Sequence, residues 1–280
     1  MNNSLSLIQL IQKRREEGSL DLPVFDRVAN EVYRAVQANR SSAKELVQLL
    51  EEDPAIAGEV LRVANSSFFS GLGEITRLSD AIVRLGNKQI ASLALAASQK
   101  RMYSESGTQF GERLVLLWRH SNAVAFGSRW LTEQLGLRHL ADEAFLAGLL
   151  HDVGKMSLLR IIEDLIAEMG DDLPLSDAVL DTAIQQLHPQ HGADLLSAWN
   201  LPELFCRVVA DHHHDHPSRD NEVLLIVRLV DLACTKEGIG ERHEPDLELN
   251  SCVEAGMLGL DDFRIAELQV ILEDAAALSA

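Results

Sequence analysis

The chain has 280 residues, of which 46% are hydrophobic and 24% are charged, and its formal net charge is −18. This length and composition allow a large buried core, and the sequence shows neither an apolar run suited to a membrane span nor a secretory leader. The acidity disfavours nucleic acid as the main ligand, because phosphate backbones bind basic surfaces. We therefore expect a globular cytoplasmic protein with no membrane or nucleic-acid partner.

Charge and histidine content divide the chain into two unequal parts. Residues 1–105 carry 13 basic and 13 acidic side chains, whereas residues 106–280 carry 12 and 30. The histidines follow the same division, because nine of the ten lie between His120 and His216. We predict an N-terminal helical subdomain over residues 1–105, a second helical subdomain over 106–240 and a helical C-terminal extension over 241–280.

The N-terminal part has the patterns of helices with one buried face. A valine recurs at helical spacing, at Val24, Val28, Val32 and Val36. Ser42 stands three residues before Glu45, which is the spacing of a capping box at a helix start. In Asp53-Pro54 the aspartate can cap the next helix while the proline fills its first turn. These signals predict consecutive helices.

Two predicted helices, over residues 79–86 and 87–97, follow each other closely enough to resemble a helix-turn-helix. The first is a short capped helix that is closed by Gly86. The second is rich in alanine and leucine, and the basic residues in it and just beyond its end are only Lys88 and then Lys100. A recognition helix needs several polar and basic side chains on one face, so this pair is predicted to pack in the core.

The acidic segment after Gly238 is predicted to contain helices around residues 247–257 and 261–278. Asp261-Asp262 is a suitable helix start, because it places negative charge at the positive end of the helix dipole. We expect this segment to contribute packing and no chemistry.

The segment from residue 144 to 155 is apolar on all sides of a predicted helix until it reaches His151 and Asp152. An unpaired carboxylate in such a place is costly, and a cationic partner or a metal ion is the usual remedy. One interpretation is a His-Asp or Asp-Lys pair, the latter with Lys155, that serves only the fold. The other interpretation is that the dyad binds a metal ion.

Further candidate ligands occur in other predicted helices. They are His120, His188, the triple His212 to His214, and Asp231. Imidazole and carboxylate without thiolate suit iron, manganese, zinc or nickel, and one bridging carboxylate could hold two ions. The three cysteines form no CxxC pair and are predicted to be reduced.

Each of these residues also has a purely structural interpretation. Asp231 could pair with Arg228, His120 could lie on a helix surface, and the histidine triple could be a solvated loop. Spacing alone does not choose between the two interpretations, so both remain open at this point.

The candidate ligands resemble the signature of the HD superfamily of metal-dependent phosphohydrolases, H…HD…H…HH…D over five helices. The matching residues are His120, His151, Asp152, His188, His212, His213 and Asp231, and residues 151–155 match the local HDxGK form. Other stretches resemble hallmarks of the HDOD family. These are Leu22-Pro23, Asp53-Pro54-Ala55, Leu61-Arg62-Val63-Ala64-Asn65-Ser66, Ala81-Ile82 with Leu85-Gly86, and Gly192-Ala193-Asp194-Leu195-Leu196 followed by Trp199 and Leu201-Pro202.

The resemblance implies an all-α, multi-helix bundle of HD-domain type with an N-terminal helical subdomain, and a place in bacterial signal transduction. It also implies that the 106–240 subdomain binds one or two divalent transition-metal ions through the matched histidines and aspartates. His191 competes with His188 in this alignment, and the histidine triple can be aligned one residue out of register.

Two hypotheses for function follow from the resemblance. In the first, the chain hydrolyses a phosphodiester or phosphomonoester in a phosphate-containing small molecule, and Asp152 and Lys155 are the catalytic residues. Lys155 would neutralise charge on the phosphate. In the second, the chain is a non-catalytic scaffold that binds signalling proteins through residues 1–105, and the site holds a structural metal or none.

Overall fold

A computed structural model describes residues 5–17, 26–38, 41–69, 73–103 and 108–278. These ranges contain helices and no strand, which confirms the all-α prediction. The α-helices are α1 (Leu7–Glu16), α2 (Arg27–Gln37), α3 (Ala43–Glu51), α4 (Pro54–Ala64), α5 (Leu78–Leu85), α6 (Asn87–Tyr103), α7 (Gly111–Gln134), α8 (Ala141–Leu150), α9 (Val153–Met169), α10 (Asp177–Ala198), α11 (Glu203–Asp211), α12 (Glu222–Lys236), α13 (Val253–Leu258) and α14 (Asp262–Ala277). Short 3₁₀ turns lie at Arg138–Leu140, Gly170–Asp172 and Leu249–Ser251.

Helix α6 lies at the centre of the N-terminal part. Residues 89–99 of this helix are all buried, and α2 and α4 pack against it. The same helix also contacts α7 and α8, so it joins the two parts of the chain. Burial on every side of this stretch confirms the prediction of core packing. The helix runs on to Tyr103, beyond the predicted end at residue 97.

Three of the helix starts that rest on local signals are confirmed. The Ser42 hydroxyl accepts from the Glu45 amide at 3.3 Å, and the Glu45 carboxylate accepts from the Ser42 amide at 2.7 Å. Asp53 caps α4 and Asp261 caps α14 through their side chains. The start of α5 differs from the prediction, because Arg77 precedes it without a side-chain cap.

The second part of the fold is organised around two long helices. Helix α7 packs on α8, α12 and α14, while α10 packs on α9 and α11. Helix α1 also lies on α10, where Leu7 and Ile11 are buried and Arg15 forms an ion pair with Asp194. One continuous apolar core includes residues of both parts. The proposed division at residues 105/106 stays a prediction, since residues 104–107 lie outside the described ranges.

The C-terminal segment is less helical than predicted. The expected helix over 247–257 is instead a 3₁₀ turn followed by the six-residue α13, whereas the helix after Asp261 is confirmed as α14. Leu22-Pro23 and Val24 lie outside the described residues. Among the described helices, none combines the length and the apolar character needed to cross a membrane.

Candidate metal centre

The His151-Asp152 dyad lies in the turn between α8 and α9, which corrects the prediction that it lies inside one helix. Helix α8 ends at Leu150 and α9 begins at Val153. The apolar pattern runs through this turn without a break because both helix ends are buried, and periodicity cannot reveal a turn in such a place. The turn sets Asp152 at the N-terminus of α9, facing α10.

The turn approaches α10 closely because residue 154 is glycine. A Cβ atom at Gly154 would overlap the backbone carbonyl oxygen of His188 and would lie 2.9 Å from the amide nitrogen of Gly192. The start of α9 therefore lies directly on the backbone of α10, and this contact brings His188 to the dyad.

Asp152 is 1% exposed, and its two carboxylate oxygens face different groups of histidines. Its Oδ2 atom accepts from Lys155 Nζ at 2.6 Å and lies 3.4 Å from His151 Nε2 and 3.7 Å from His120 Nε2. This oxygen, together with His120, His151 and Asp231, forms the cluster that we call site A. In site A the Nε2 atoms of His120 and His151 are 3.2 Å apart, and His120 Nε2 lies 3.1 Å from Asp231 Oδ1.

The other oxygen, Oδ1, belongs to a second cluster that we call site B. It lies 3.4 Å from His188 Nε2 and 3.5 Å from His212 Nε2, and it has no hydrogen-bond partner. His188 Nε2 and His212 Nε2 are 3.2 Å apart. His213 completes the group, since a ligand atom from each of the four residues lies within 4.8 Å of the others.

The same hydrogen-bond pattern orients four of the histidines. Each Nδ1 atom lies at hydrogen-bond distance from a backbone carbonyl: His120 from Ile239 at 2.9 Å, His151 from Gly148 at 2.7 Å, His188 from Ile184 at 2.9 Å and His212 from Val209 at 2.7 Å. A carbonyl oxygen only accepts, so each Nδ1 carries a proton, and whenever one of these rings is neutral the lone pair of its Nε2 points inward. Inward-facing lone pairs beside carboxylates suit a bound cation, and a ring held through Nδ1 in this way is typical of metal-ligating histidines.

The ionisation of the cluster also fits a cation site. Burial by itself would raise the pKa of Asp152, but Lys155 and His151 outweigh it and hold that pKa well below its usual range. The pKa of Asp231 is lowered in the same way, because the hydrogen bond and charge of His120 outweigh burial. Burial lowers the pKa of His188 well below its usual value, which keeps this ring neutral. The cluster thus combines carboxylates with at least one neutral imidazole.

The structural alternatives for Asp231 and His120 are not what the structure shows, whereas the Asp152–Lys155 pair is present. Arg228 does not pair with Asp231, since its Nε atom donates to Glu254 at 2.7 Å and its Nη1 atom donates to the His212 carbonyl at 2.6 Å. His120 is buried, so it is not a helix-surface residue. The histidine triple is split: His212 is buried in site B, His213 belongs to site B but is exposed, and His214 is exposed and lies outside both clusters.

The choice between His188 and His191 is made by their neighbours. Both residues are buried in α10, but only His188 faces Asp152. His191 Nε2 lies 2.9 Å from the Ser157 hydroxyl, outside both clusters. Burial and the charge of Arg15 lower the pKa of His191 to about 4, so this ring is a neutral packing residue.

The clusters open into a cavity of about 40 Å³, which exceeds the roughly 10–15 Å³ that one water needs. A wider cavity of about 430 Å³ lies beside it, and the two share Gln185, Glu241 and Arg242 as lining residues. Sequence reasoning did not identify these three residues. The prediction that the segment after Gly238 contributes only packing is therefore incomplete, because Glu241 and Arg242 line the cavity. In the sequence, the only signal of a turn at this place was the pair of glycines at 238 and 240.

The helices and the buried histidine-aspartate cluster define an all-α protein with a site that could hold metal ions. The HDOD domain model matches residues 22–215 of this chain. The chain therefore belongs to the HDOD family, as the resemblance predicted. An uncharacterized protein of Treponema pallidum (strain Nichols) is 22% identical over 198 residues, which are 69% of this chain and 38% of that relative. The match thus spans less than half of the relative's length.

Solved structures share the fold at low sequence identity. An HDOD domain protein of unknown function from Geobacter sulfurreducens is 22% identical, with a TM-score of 0.76 over 96% of both chains. A candidate metal-dependent phosphohydrolase from Shewanella amazonensis SB2B is 21% identical, with a TM-score of 0.76 over the whole of both chains. A candidate signal transduction protein from Marinobacter aquaeolei VT8 is 20% identical, with a TM-score of 0.65 over 94% of this chain and 60% of that one.

Proposed function

We propose that this HDOD protein is a metal-dependent phosphohydrolase that acts in bacterial signal transduction. One observation carries the proposal: Asp152 is buried between two groups of inward-facing imidazoles, and its Oδ1 atom has no hydrogen-bond partner. A buried carboxylate oxygen without a donor is costly unless a cation approaches it. The Shewanella protein with the same fold is described as a candidate enzyme of this class.

The residues fit a pair of divalent ions that share one carboxylate. Site A offers His120, His151, Asp231 and Asp152 Oδ2, and site B offers Asp152 Oδ1, His188, His212 and His213. Nitrogen and oxygen ligands without thiolate suit iron, manganese, zinc or nickel. A bound divalent ion polarises a phosphoryl oxygen and lowers the pKa of a water molecule, which makes that water a nucleophile near neutral pH.

The residues at the cavity would bind and orient the phosphate. Lys155 lines the cavity with a side chain that is 13% exposed, and its ammonium group already stabilises the buried carboxylate of Asp152. A phosphate oxygen that enters the cavity would meet this ammonium group. Arg242 and Gln185 line the same entrance and can donate hydrogen bonds to the rest of the substrate. Glu241 would disfavour a second anionic group next to it.

The test of the proposal is hydrolysis by the metal-loaded protein. We expect the purified chain with added Mn²⁺ or Fe²⁺ to hydrolyse bis(p-nitrophenyl) phosphate or p-nitrophenyl phosphate, and a chelator to stop the reaction. Lys155→Ala should reduce turnover while metal remains bound. A wild-type protein that carries metal but hydrolyses no phosphoester or nucleotide in a broad screen would contradict the enzyme proposal.

The assignment of His188 instead of His191 gives a matched pair of variants. His188→Ala should remove the ion from site B, because the imidazole faces Asp152 at 3.4 Å. His191→Ala should leave metal content unchanged but lower the free energy of unfolding by about 1–3 kcal/mol, because the buried Ser157 hydroxyl loses its partner. Metal analysis after dialysis and urea denaturation in chelator measure the two effects. Equal loss of metal in both variants would contradict the assignment.

The small size of the cavity supports a second candidate function, that of a non-catalytic scaffold with a structural metal. A cavity of about 40 Å³ holds ions and water more readily than a nucleotide. In that case signalling proteins would bind to residues 1–105. Metal removal would then destabilise the fold and weaken partner binding. The protein would show no hydrolytic activity either with or without metal.

A further inference from the structure

The segment that follows α12 folds back over site A. Residues 238–242 lie outside the residues that the HDOD model matches. Gly238 has φ +67° and Gly240 has φ +129°, so the backbone turns sharply at both positions. Ile239, between them, is buried, and it lines the same cavity as His120 and Asp231.

The turn contacts His120 through two backbone groups. The Ile239 carbonyl oxygen accepts from His120 Nδ1 at 2.9 Å. A Cβ atom at Gly240 would lie 3.1 Å from His120 Cβ and 3.2 Å from His120 Nδ1, closer than side chains normally pack. The absence of a side chain at Gly240 therefore lets the turn lie flat against the imidazole ring.

His120 differs from the other three histidines in the origin of its carbonyl partner. His151, His188 and His212 each bond to a carbonyl three or four residues earlier. These three rings are thus oriented by the local helical backbone. His120 bonds to a carbonyl 119 residues away. Its orientation depends on where the C-terminal segment lies.

Contacts at both ends hold the segment in place. The Ile239 amide donates to the Cys234 carbonyl of α12 at 2.9 Å, and Lys236 Nζ donates to the Leu247 carbonyl at 2.7 Å. On the other side, Glu241 forms an ion pair with Arg113 of α7 at 3.3 Å. The segment is thus attached to α12, which carries Asp231, and to α7, which carries His120.

We infer that Ile239 and Gly240 are positioning residues for His120, so that the C-terminal segment controls ion binding at site A but not at site B. The inference rests on the proposed metal sites. The ligand class is a divalent cation, and site B keeps its affinity because its histidines have partners within α10 and α11. Loss of such a partner typically weakens metal affinity by about 10- to 100-fold.

The experiment compares two glycine substitutions in the full chain, with Mn²⁺ alone as the probe. Gly240→Ala should lower the affinity for one of the two bound ions by about 10- to 100-fold and leave the affinity for the other unchanged. Gly259→Ala is the control, because Gly259 also has a positive φ (+66°) but a Cβ there would contact nothing within 4 Å. Titration calorimetry gives the number and the affinity of the ions. Substitution of Co²⁺ reports the ligand geometry of the weakened site by its absorption.

Two further variants distinguish a loss of His120 positioning from a general loss of folded structure. In a His120→Ala background, Gly240→Ala should change metal affinity no further, because the two residues act through the same contact. If Gly240→Ala does not fold, Arg113→Ala is used instead, since it releases Glu241 at the far end of the segment. Removal of the positive charge of Arg113 would by itself strengthen the binding of a nearby cation. Weaker cation binding at site A would therefore indicate that His120 is no longer held in position.

The outcomes distinguish this inference from the proposed function. If wild type binds two ions and Gly240→Ala binds both with unchanged affinity, or loses both equally, the inference is wrong while the metal sites stand. Tighter binding in Arg113→Ala would also overturn it. A wild-type chain that binds no ion would contradict the proposed function as well.

Discussion

Replacement of Asp152 by asparagine is expected to remove metal from both sites at once. Its two carboxylate oxygens face different histidine groups, Oδ2 towards His151 and Oδ1 towards His188. An asparagine of the same shape has one oxygen and no charge, so neither site keeps an anionic shared ligand. We expect affinity at both sites to fall by more than the roughly 10- to 100-fold loss typical of an outer-shell change.

Metal content and thermal stability measure this effect independently of catalysis. A ligand that binds only the native state at 100 times its Kd stabilises it by about 2.7 kcal/mol. For a chain of this size, that stabilisation corresponds to a rise in Tm of about 4–5 °C. Wild type should show the rise on addition of Mn²⁺, and Asp152→Asn should not.

A matched control for Asp152→Asn is available on the surface of α9. Asp164 is exposed in this helix, and Asp164→Asn changes net charge by the same amount. The control should keep metal content and the rise in Tm. Retention of one ion by Asp152→Asn, at wild-type affinity, would show that the carboxylate serves a single site.

Gly154→Ala is expected to cause the largest loss of stability among single substitutions near the site. A Cβ atom there would overlap the His188 carbonyl oxygen and crowd the Gly192 amide. Both neighbours are backbone atoms, which cannot rotate away, so α9 and α10 must move apart. We expect the free energy of unfolding to fall by at least about 3 kcal/mol, the upper part of the range for overpacked cores.

Urea denaturation in the presence of a chelator tests this prediction without a contribution from metal. Gly58→Ala in α4 is the control, because a Cβ there would contact nothing within 4 Å. An alanine in a helix is favoured over glycine by roughly 0.5–1 kcal/mol, so the control should be slightly more stable than wild type. If the two variants were equally stable, the contact between α9 and α10 would be looser than the structure indicates.

Much of the helical framework was predictable because its signals are local. The Ser42-Glu45 capping box and the cap at Asp53 involve residues at most three positions apart, so the sequence contains the whole interaction. The core position of α6 was predictable for a similar reason, since a helix rich in alanine and leucine has no polar face to expose. The HDOD resemblance was confirmed on residues 22–215.

The site was predictable in the types of its residues and not in their arrangement. The pattern of histidines and aspartates named every member of the two clusters. It could not separate His188 from His191, because residues three positions apart lie on nearly the same face of a helix and both are buried. It also placed the dyad inside a helix, since a turn with buried helix ends on both sides keeps the apolar pattern.

The remaining features depend on contacts between distant residues. Asp152 separates two groups of histidines only because α9 lies on the backbone of α10 at Gly154. His120 turns its Nε2 atom inward only because the Ile239 carbonyl, 119 residues away, accepts from its Nδ1. Amino-acid order specifies which helices form and which ligand types are present, because capping and periodicity act over a few residues. Which atoms converge is decided by helix packing, since that depends on close approaches that no local pattern encodes.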